Sequence, residues 1–207
     1  MKVKLLKGDT DLNIYINAIK QSCDKELKDY KGREDKIISN CLRNCHNTVL
    51  EQGNFQFEIE TTIGISRDTN RHRPHSIVER STRYVDFRLF SNEELFEIPP
   101  EIIINSDLYK EWVELLNQIK KVYNNTINVG FKKQIAKQCL PLCTVTKLTV
   151  NATLWHWIVF IKSRLIKSGH PHYVEMARKI YKILNNLLPT IVNKDNLEYI
   201  KPVNLII

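Results

Sequence analysis

The chain has 207 residues, a formal net charge of +8, 43% hydrophobic and 26% charged residues, and only six glycines and seven prolines. That composition excludes a disordered or fibrous chain and suffices to bury a core, so a single domain over 1–207 is expected. No apolar run reaches membrane-spanning length, because "LWHWIVFIK" is short and interrupted by His156. The opening "MKVKLLKGDTD" lacks an apolar leader, so a cytoplasmic location is expected.

Residues 2–6 alternate and predict a short strand. "DTDLNIYINAIKQSC" then places Leu12, Ile16 and Ile19 at helical spacing behind a capping Asp or Thr. A charged loop or frayed helix end leads into "REDKIISNCLRNC", a helix with Ile37, Ile38, Cys41, Leu42 and Cys45 on one side and His46 at its end. The C-x3-C pairs, Cys41/Cys45 and Cys139/Cys143, lack the knuckle spacing of structural zinc, and "CLRNC" reads better as the apolar stripe of a helix, so no metal is expected. Phe55, Phe57 and Ile59 alternate with Gln56, Glu58 and Glu60, the pattern of a half-buried strand.

After residue 84 an extended segment runs to Pro99-Pro100. Residues 106–126 form an amphipathic helix capped by Ser106 or Asp107, with Leu108, Trp112, Leu115, Leu116, Ile119 and Tyr123 inward. A second helix, "GFKKQIAKQC", stops before Pro141, and "LCTVTKLTV" is strand-like. "NATLWHWIVFIKSR" is a buried helix delivering Arg164, and "HPHYVEMARKIYKILNNLL" is amphipathic with Val174, Ala177, Ile180, Tyr181 and Leu184 inward. Helices and strands mix without regular βαβ alternation, which predicts α+β: a twisted antiparallel or mixed sheet packed with helices.

The chemistry concentrates in "RHRPHSIVERSTRY", residues 71–84. Five arginines fall between Arg67 and Arg83, whereas the lysines are scattered over helix faces, so the anion site is local and polynucleotide is not the expected partner. Phosphate-loop, dinucleotide and nucleophile-elbow motifs are all absent, so guanidinium groups and hydroxyls must hold any phosphate. In an extended segment Arg71 and Arg73 share one face, with His72 on the other, and can hold a diphosphate. Ser81 and Arg83 can share another phosphate, with Glu79 close enough to orient Arg83.

These residues resemble the flavin-dependent thymidylate synthase family. "RHRPHSIVERS" fits its R-H-R, seven residues, Ser signature, and "STRY" continues it. "HNTVLE" is similar to its H-x-T-x-x-E segment, "LPLCTVTKLTVNAT" to its strand and turn, and "WIVFIKSR" to its helix end. The matches run from about residue 33 to 185. The resemblance implies methylation of dUMP to dTMP, with 5,10-methylene-tetrahydrofolate as one-carbon donor and FAD, reduced by NADPH, as hydride source. It also implies a homotetramer with shared active sites and no cysteine nucleophile.

Carried over by position, Arg71, His72 and Arg73 hold FAD, with His46, Thr48, Glu51 and Asn151 lining the flavin or folate region. Glu79, Ser81 and Arg83 bind dUMP, Arg164 its base, and Tyr84 lies on the folate side; Arg164, Ser81 and His46 form the expected catalytic set. Asp68 stands where many members have a nucleotide-contacting Gln, and Lys137 where an Arg helps with the nucleotide. The early FAD-contacting segment is reduced to "AIKQSC", leaving Ser22 as its candidate. The alternatives are an FAD-binding member with lost or altered activity, and a basic nucleic-acid-binding module.

Overall fold

The computed structural model describes residues 1–23, 30–166 and 169–199; the charged stretch 24–29, read as a loop or frayed helix end, lies outside them. In chain order come β1 (Lys2–Gly8), α1 (Leu12–Cys23), α2 (Glu34–Arg43), a 3-10 turn (Asn47–Glu51), β2 (Asn54–Thr62), α3 (Ile63–Thr69) and β3 (Ser76–Glu79). A second 3-10 turn (Phe87–Leu89), α4 (Asn92–Leu95), α5 (Pro100–Ile103), α6 (Ser106–Asn128) and α7 (Lys133–Ala136) follow, α7 running into a third 3-10 turn (Lys137–Cys139). The chain continues with β4 (Val145–Thr153), α8 (Leu154–Arg164), α9 (Pro171–Leu187) and α10 (Lys194–Tyr199).

The strands form a four-stranded antiparallel sheet in the order β1-β2-β4-β3. Period-two alternation decides its two faces. Phe55, Phe57 and Ile59 of β2 and Leu148, Val150 and Ala152 of β4 are buried in one cluster with side chains of α1, α2, α8 and α9. The other face is polar, and there Glu60 pairs in register with Lys2 and Lys147, its carboxylate 2.7 and 3.3 Å from their ammonium groups. A smaller cluster gathers Phe87, Leu95, Phe96, Leu116 and Tyr123 around α6.

Helix α8 ties the layers together. Trp157 is fully buried, its Nε1–H donates to the Phe55 carbonyl at 2.9 Å, and its ring meets Phe57 edge-on at 4.9 Å. The sequence read this helix from 151. Instead β4 continues to Thr153, whose side chain accepts from the His156 N–H and starts α8 there, leaving Asn151 on a strand.

Other local expectations give way to capping. Strand β2 stops at Thr62, whose hydroxyl accepts from the Ile65 N–H and opens α3, a helix absent from the sequence reading. The segment 84–104 is not extended: Asp86 and Ser91 cap the second 3-10 turn and α4, and Pro100 sits in the first turn of α5 rather than merely ending a strand. Asn105, not Ser106 or Asp107, caps α6. Leu108 and Leu115 of α6 point outward rather than inward, and with Val122 and Val129 they form an exposed apolar row at seven-residue spacing. Cys45 lies past the end of α2, exposed and with φ 60°, rather than on its apolar stripe.

Replacing Trp157 by Ala is expected to cost about 3–5 kcal/mol through the cavity it leaves. Trp157→Phe should cost less, roughly 1–3 kcal/mol, by stranding the Phe55 carbonyl. Urea denaturation of the two variants checks both the size and the order of the losses.

Candidate active site

The R-H-R stretch is a turn, not a strand. Leaving α3, the Arg71 N–H donates to the Asp68 carbonyl at 3.2 Å, the His72 N–H to Thr69 at 3.0 Å and the His75 N–H to His72 at 3.1 Å. The turn buries both imidazoles, each 8% exposed, and turns Arg71 and Arg73 outward. Strand alternation therefore does not set the directions of the two guanidinium groups; Arg71 and Arg73 are both exposed by the turn. His72 and His75 meet at 4.4 Å, and His75 packs on Trp157 at 4.3 Å; both rings lie 5.4 Å from Phe160.

Burial drives the His72 pKa down to about 4, helped by the charges of Arg164 and His156. It drives His75 down to about 3, with His72 and His156 adding to the effect. Both rings are therefore neutral at pH 7, and His72 Nε2 and both ring nitrogens of His75 are buried without hydrogen-bond partners. Neither imidazole is suited to gripping an anion.

Two cavities flank α3. The first, about 490 Å³, is lined by Arg67, Glu79, Arg80, Ser81 and Lys137. Glu79 does not orient Arg83: its Oε1 accepts from Ser66 Oγ at 2.7 Å and from Thr146 Oγ1 at 3.1 Å. Arg83 is exposed and lies over the Tyr84 ring, 5.8 Å from its centroid. Ser81 Oγ accepts from the Arg83 backbone N–H at 3.2 Å. The second cavity, about 280 Å³, is lined by Asp68, Arg71, Ser163, Arg164, His170 and Tyr173. There the Arg164 guanidinium lies 4.6 Å from the Tyr173 ring centroid.

The predicted nucleotide residues therefore divide. Glu79, Ser81 and Lys137 stand on one side of α3, and Asp68, Arg71 and Arg164 on the other. His46, Thr48 and Glu51 are exposed on the first 3-10 turn and its entry. His156 joins that turn to the arginine segment: burial lowers its pKa while Glu51 raises it, and its charge acts on His72 and His75. Asn151 sits half-buried on β4 between Gln56 and Ser76. Ser22 is exposed near the end of α1, its hydroxyl donating to the Ile19 carbonyl at 2.8 Å.

Sequence reasoning missed four residues here. Arg67 and Arg80 were visible only as part of the arginine count. His156 appeared merely as an interruption of an apolar run. Tyr173 shares the 173, 177, 180, 184 stripe of α9 and was passed over for Val174, its half-buried neighbour.

Residues 4–190 match the family described as "Thymidylate synthase complementing protein". The chain belongs to this family of flavin-dependent thymidylate synthases. A flavin-dependent thymidylate synthase of Pyrococcus furiosus is 30% identical over 147 residues, covering 70% of this chain and 60% of the relative. The enzyme of Pseudothermotoga lettingae is 26% identical over 191 residues, covering 90% of this chain and 86% of its own length. The crystal structure of the UMP/dUMP methylase PolB from Streptomyces cacaoi, bound with 5-Br dUMP, superposes with a TM-score of 0.82 at 17% identity. The match covers 98% of this chain and 96% of that one, so the fold is shared almost end to end. No described helix is long and apolar enough to cross a membrane.

The two buried imidazoles set a pH dependence. Their folded pKa values lie below the ordinary 6.5, so the unfolded chain binds more protons as pH falls. The stability they contribute is complete above about pH 6.5 and is lost as pH falls toward 4 and then 3. Between pH 7 and 5 the loss should be on the order of a few kcal/mol. Thermal melts at the two pH values are expected to show a lower Tm at pH 5 and a smaller gap in His75→Phe.

Proposed function

We propose that this chain is a flavin-dependent thymidylate synthase, methylating dUMP to dTMP with 5,10-methylene-tetrahydrofolate as one-carbon donor and FAD reduced by NADPH. The observation that carries the reading is the meeting of Arg71 and Arg164 in one cavity, beside a turn that presents Arg73 and buries His72. Arg71 and Arg73 form no ion pair among the described residues, so their donors fit a diphosphate. When bound, FAD supplies the hydride that reduces the transferred carbon to a methyl group.

The chain's own side chains divide the remaining work. Arg164 ends the packed helix α8, so its cation is held fixed against the uracil ring. There it stabilises the negative charge that builds on the base as the ring carbon turns nucleophilic. Ser81 and Lys137 take the nucleotide phosphate, Lys137 as a point charge rather than a fork. Glu79, clamped by Ser66 and Thr146, accepts from the nucleotide, and the exposed Arg83 adds a cation to it from the Tyr84 side. His46, Thr48, Glu51 and Asn151 line the flavin and folate side with Tyr84, and Ser22 is the outermost FAD contact. His72 acts as the anchor of the turn.

The division of these residues by α3 supports a homotetramer in which each active site draws on several subunits. The exposed row Leu108, Leu115, Val122 and Val129 supplies an apolar contact surface for it. A uridylate methylase that also takes UMP is the second reading. It is favoured by Asp68, whose carboxylate lines the Arg164 cavity as an acceptor for a ribose hydroxyl.

Purified protein is expected to be yellow, absorbing near ~450 nm as flavins do. It should form dTMP when given dUMP, methylene-tetrahydrofolate and NADPH, with UMP assayed in parallel. Arg73→Ala should release flavin. Arg164→Lys should keep flavin and fold but lose on the order of a hundred- to thousandfold in turnover, since lysine lacks the planar donor. A colourless protein that forms no methylated product sinks the reading.

Light scattering at micromolar concentration should give four times the 24.3 kDa protomer mass. A stable monomer removes the shared site.

A further inference from the structure

Arg164 is the cation on which the proposed chemistry depends, yet among the described residues no carboxylate lies within ion-pair distance of it. Its Nε is buried without a hydrogen-bond partner, and Asp68 lines the same cavity without pairing to it. What it does touch is the ring of Tyr173, at 4.6 Å. That distance is well inside the range at which an aromatic face attracts a guanidinium.

Tyr173 is itself firmly placed. It is 5% exposed, and it meets Phe160 edge-on with centroids 5.6 Å apart and an interplanar angle of 74°. Phe160 in turn packs against Trp157, His72 and His75. Gly169, just before α9, lies close to the end of α8. A Cβ on Gly169 would come within 2.8 Å of Val174 Cγ2 and 3.2 Å of the Ile166 carbonyl, so glycine permits that approach.

We propose that Tyr173 is a positioning residue for Arg164, holding the guanidinium against its ring so that the cation and its N–H donors face a nucleotide in the Arg71–Asp68 cavity. The assignment rests on the dUMP reading above. Its physical sense lies in what a carboxylate partner would do instead. A carboxylate would occupy the guanidinium fork and cancel its charge. An aromatic face restrains the group from one side and leaves charge and donors available. The Tyr173 hydroxyl lies near Thr69 and Arg164, which offset part of the rise that burial gives its pKa, but it has no hydrogen bond in good geometry; the ring contact is therefore assigned the positioning, and Tyr173→Phe separates the two.

The test is calorimetric titration of flavin-loaded protein with dUMP. Tyr173→Phe keeps the ring and should bind within about twofold of the parent protein. Tyr173→Leu should bind roughly 5- to 30-fold more weakly. In an Arg164→Leu background the same Tyr173→Leu change should add almost nothing, because the group it positions has gone. Replacing Tyr173 by pentafluorophenylalanine keeps the ring's shape but removes its negative face, and should match Tyr173→Leu. This variant also decides the matter if Tyr173→Leu does not fold. Parent-like affinity in the fluorinated variant, or full additivity with Arg164→Leu, overturns the positioning role while leaving the dUMP reading intact. A parent protein that does not bind dUMP overturns that reading and this assignment together.

Discussion

Two neutral imidazoles packed against Trp157 and Phe160 hold the site together. His72 and His75, separated by Arg73 and Pro74, both turn inward onto α8. Because they are buried, the arginines on either side of His72 have only the outside left to occupy. The same contact fixes the turn against the helix that ends in Arg164, so cations almost a hundred residues apart in sequence meet in one cavity. The sheet bears on the proposed site mainly through this arrangement. Phe55 and Phe57 seat Trp157, Trp157 and Phe160 seat the histidines, and the histidines set the direction of the guanidinium groups.

Such an anchor works against solvation. Each buried ring has at least one nitrogen without a partner, a cost that a surface motif would avoid. The compensation is rigidity: a turn held by aromatic packing cannot swing its arginines away from a ligand. Charge is treated in the same way elsewhere in the site. Glu79 is held by two neutral hydroxyls rather than by a cation, and Arg164 by an aromatic face rather than by an anion. In both cases the group is restrained without its charge being neutralised.

Much of this was legible in the sequence. The alternation of Phe55, Phe57 and Ile59 identified the central strand, and the apolar run around Trp157 identified the helix that carries Arg164. The spacing of R-H-R to Ser81 identified the family. The local path through the motif was not legible, because it depends on tertiary contacts. Nothing between residues 71 and 75 announces that both histidines have aromatic partners more than eighty residues away. The α3 helix was hidden in "TTIGISRDT", where β-branched residues read as strand until Thr62 is seen to cap. Glu79 was assigned to Arg83 by proximity in sequence, while its real partners come from α3 and β4. Leu108 and Leu115 were counted inward because periodicity cannot distinguish a buried apolar face from an exposed one.

The borders of the sheet carry one more consequence. On one side β1 brings three lysines, Lys2, Lys4 and Lys7, and an irregularity between Leu5 and Lys7 where its pairing slips. On the other side β3 is only four residues long and gives way at once to the Ser81 loop. A bulged, cationic rim and a stub of a rim are both poor templates for an incoming strand. Copies of this chain are thereby steered away from joining rim to rim into an unlimited ribbon. In the proposed tetramer, contact then falls to surfaces away from the rims that close on themselves, so growth stops at a fixed number of subunits.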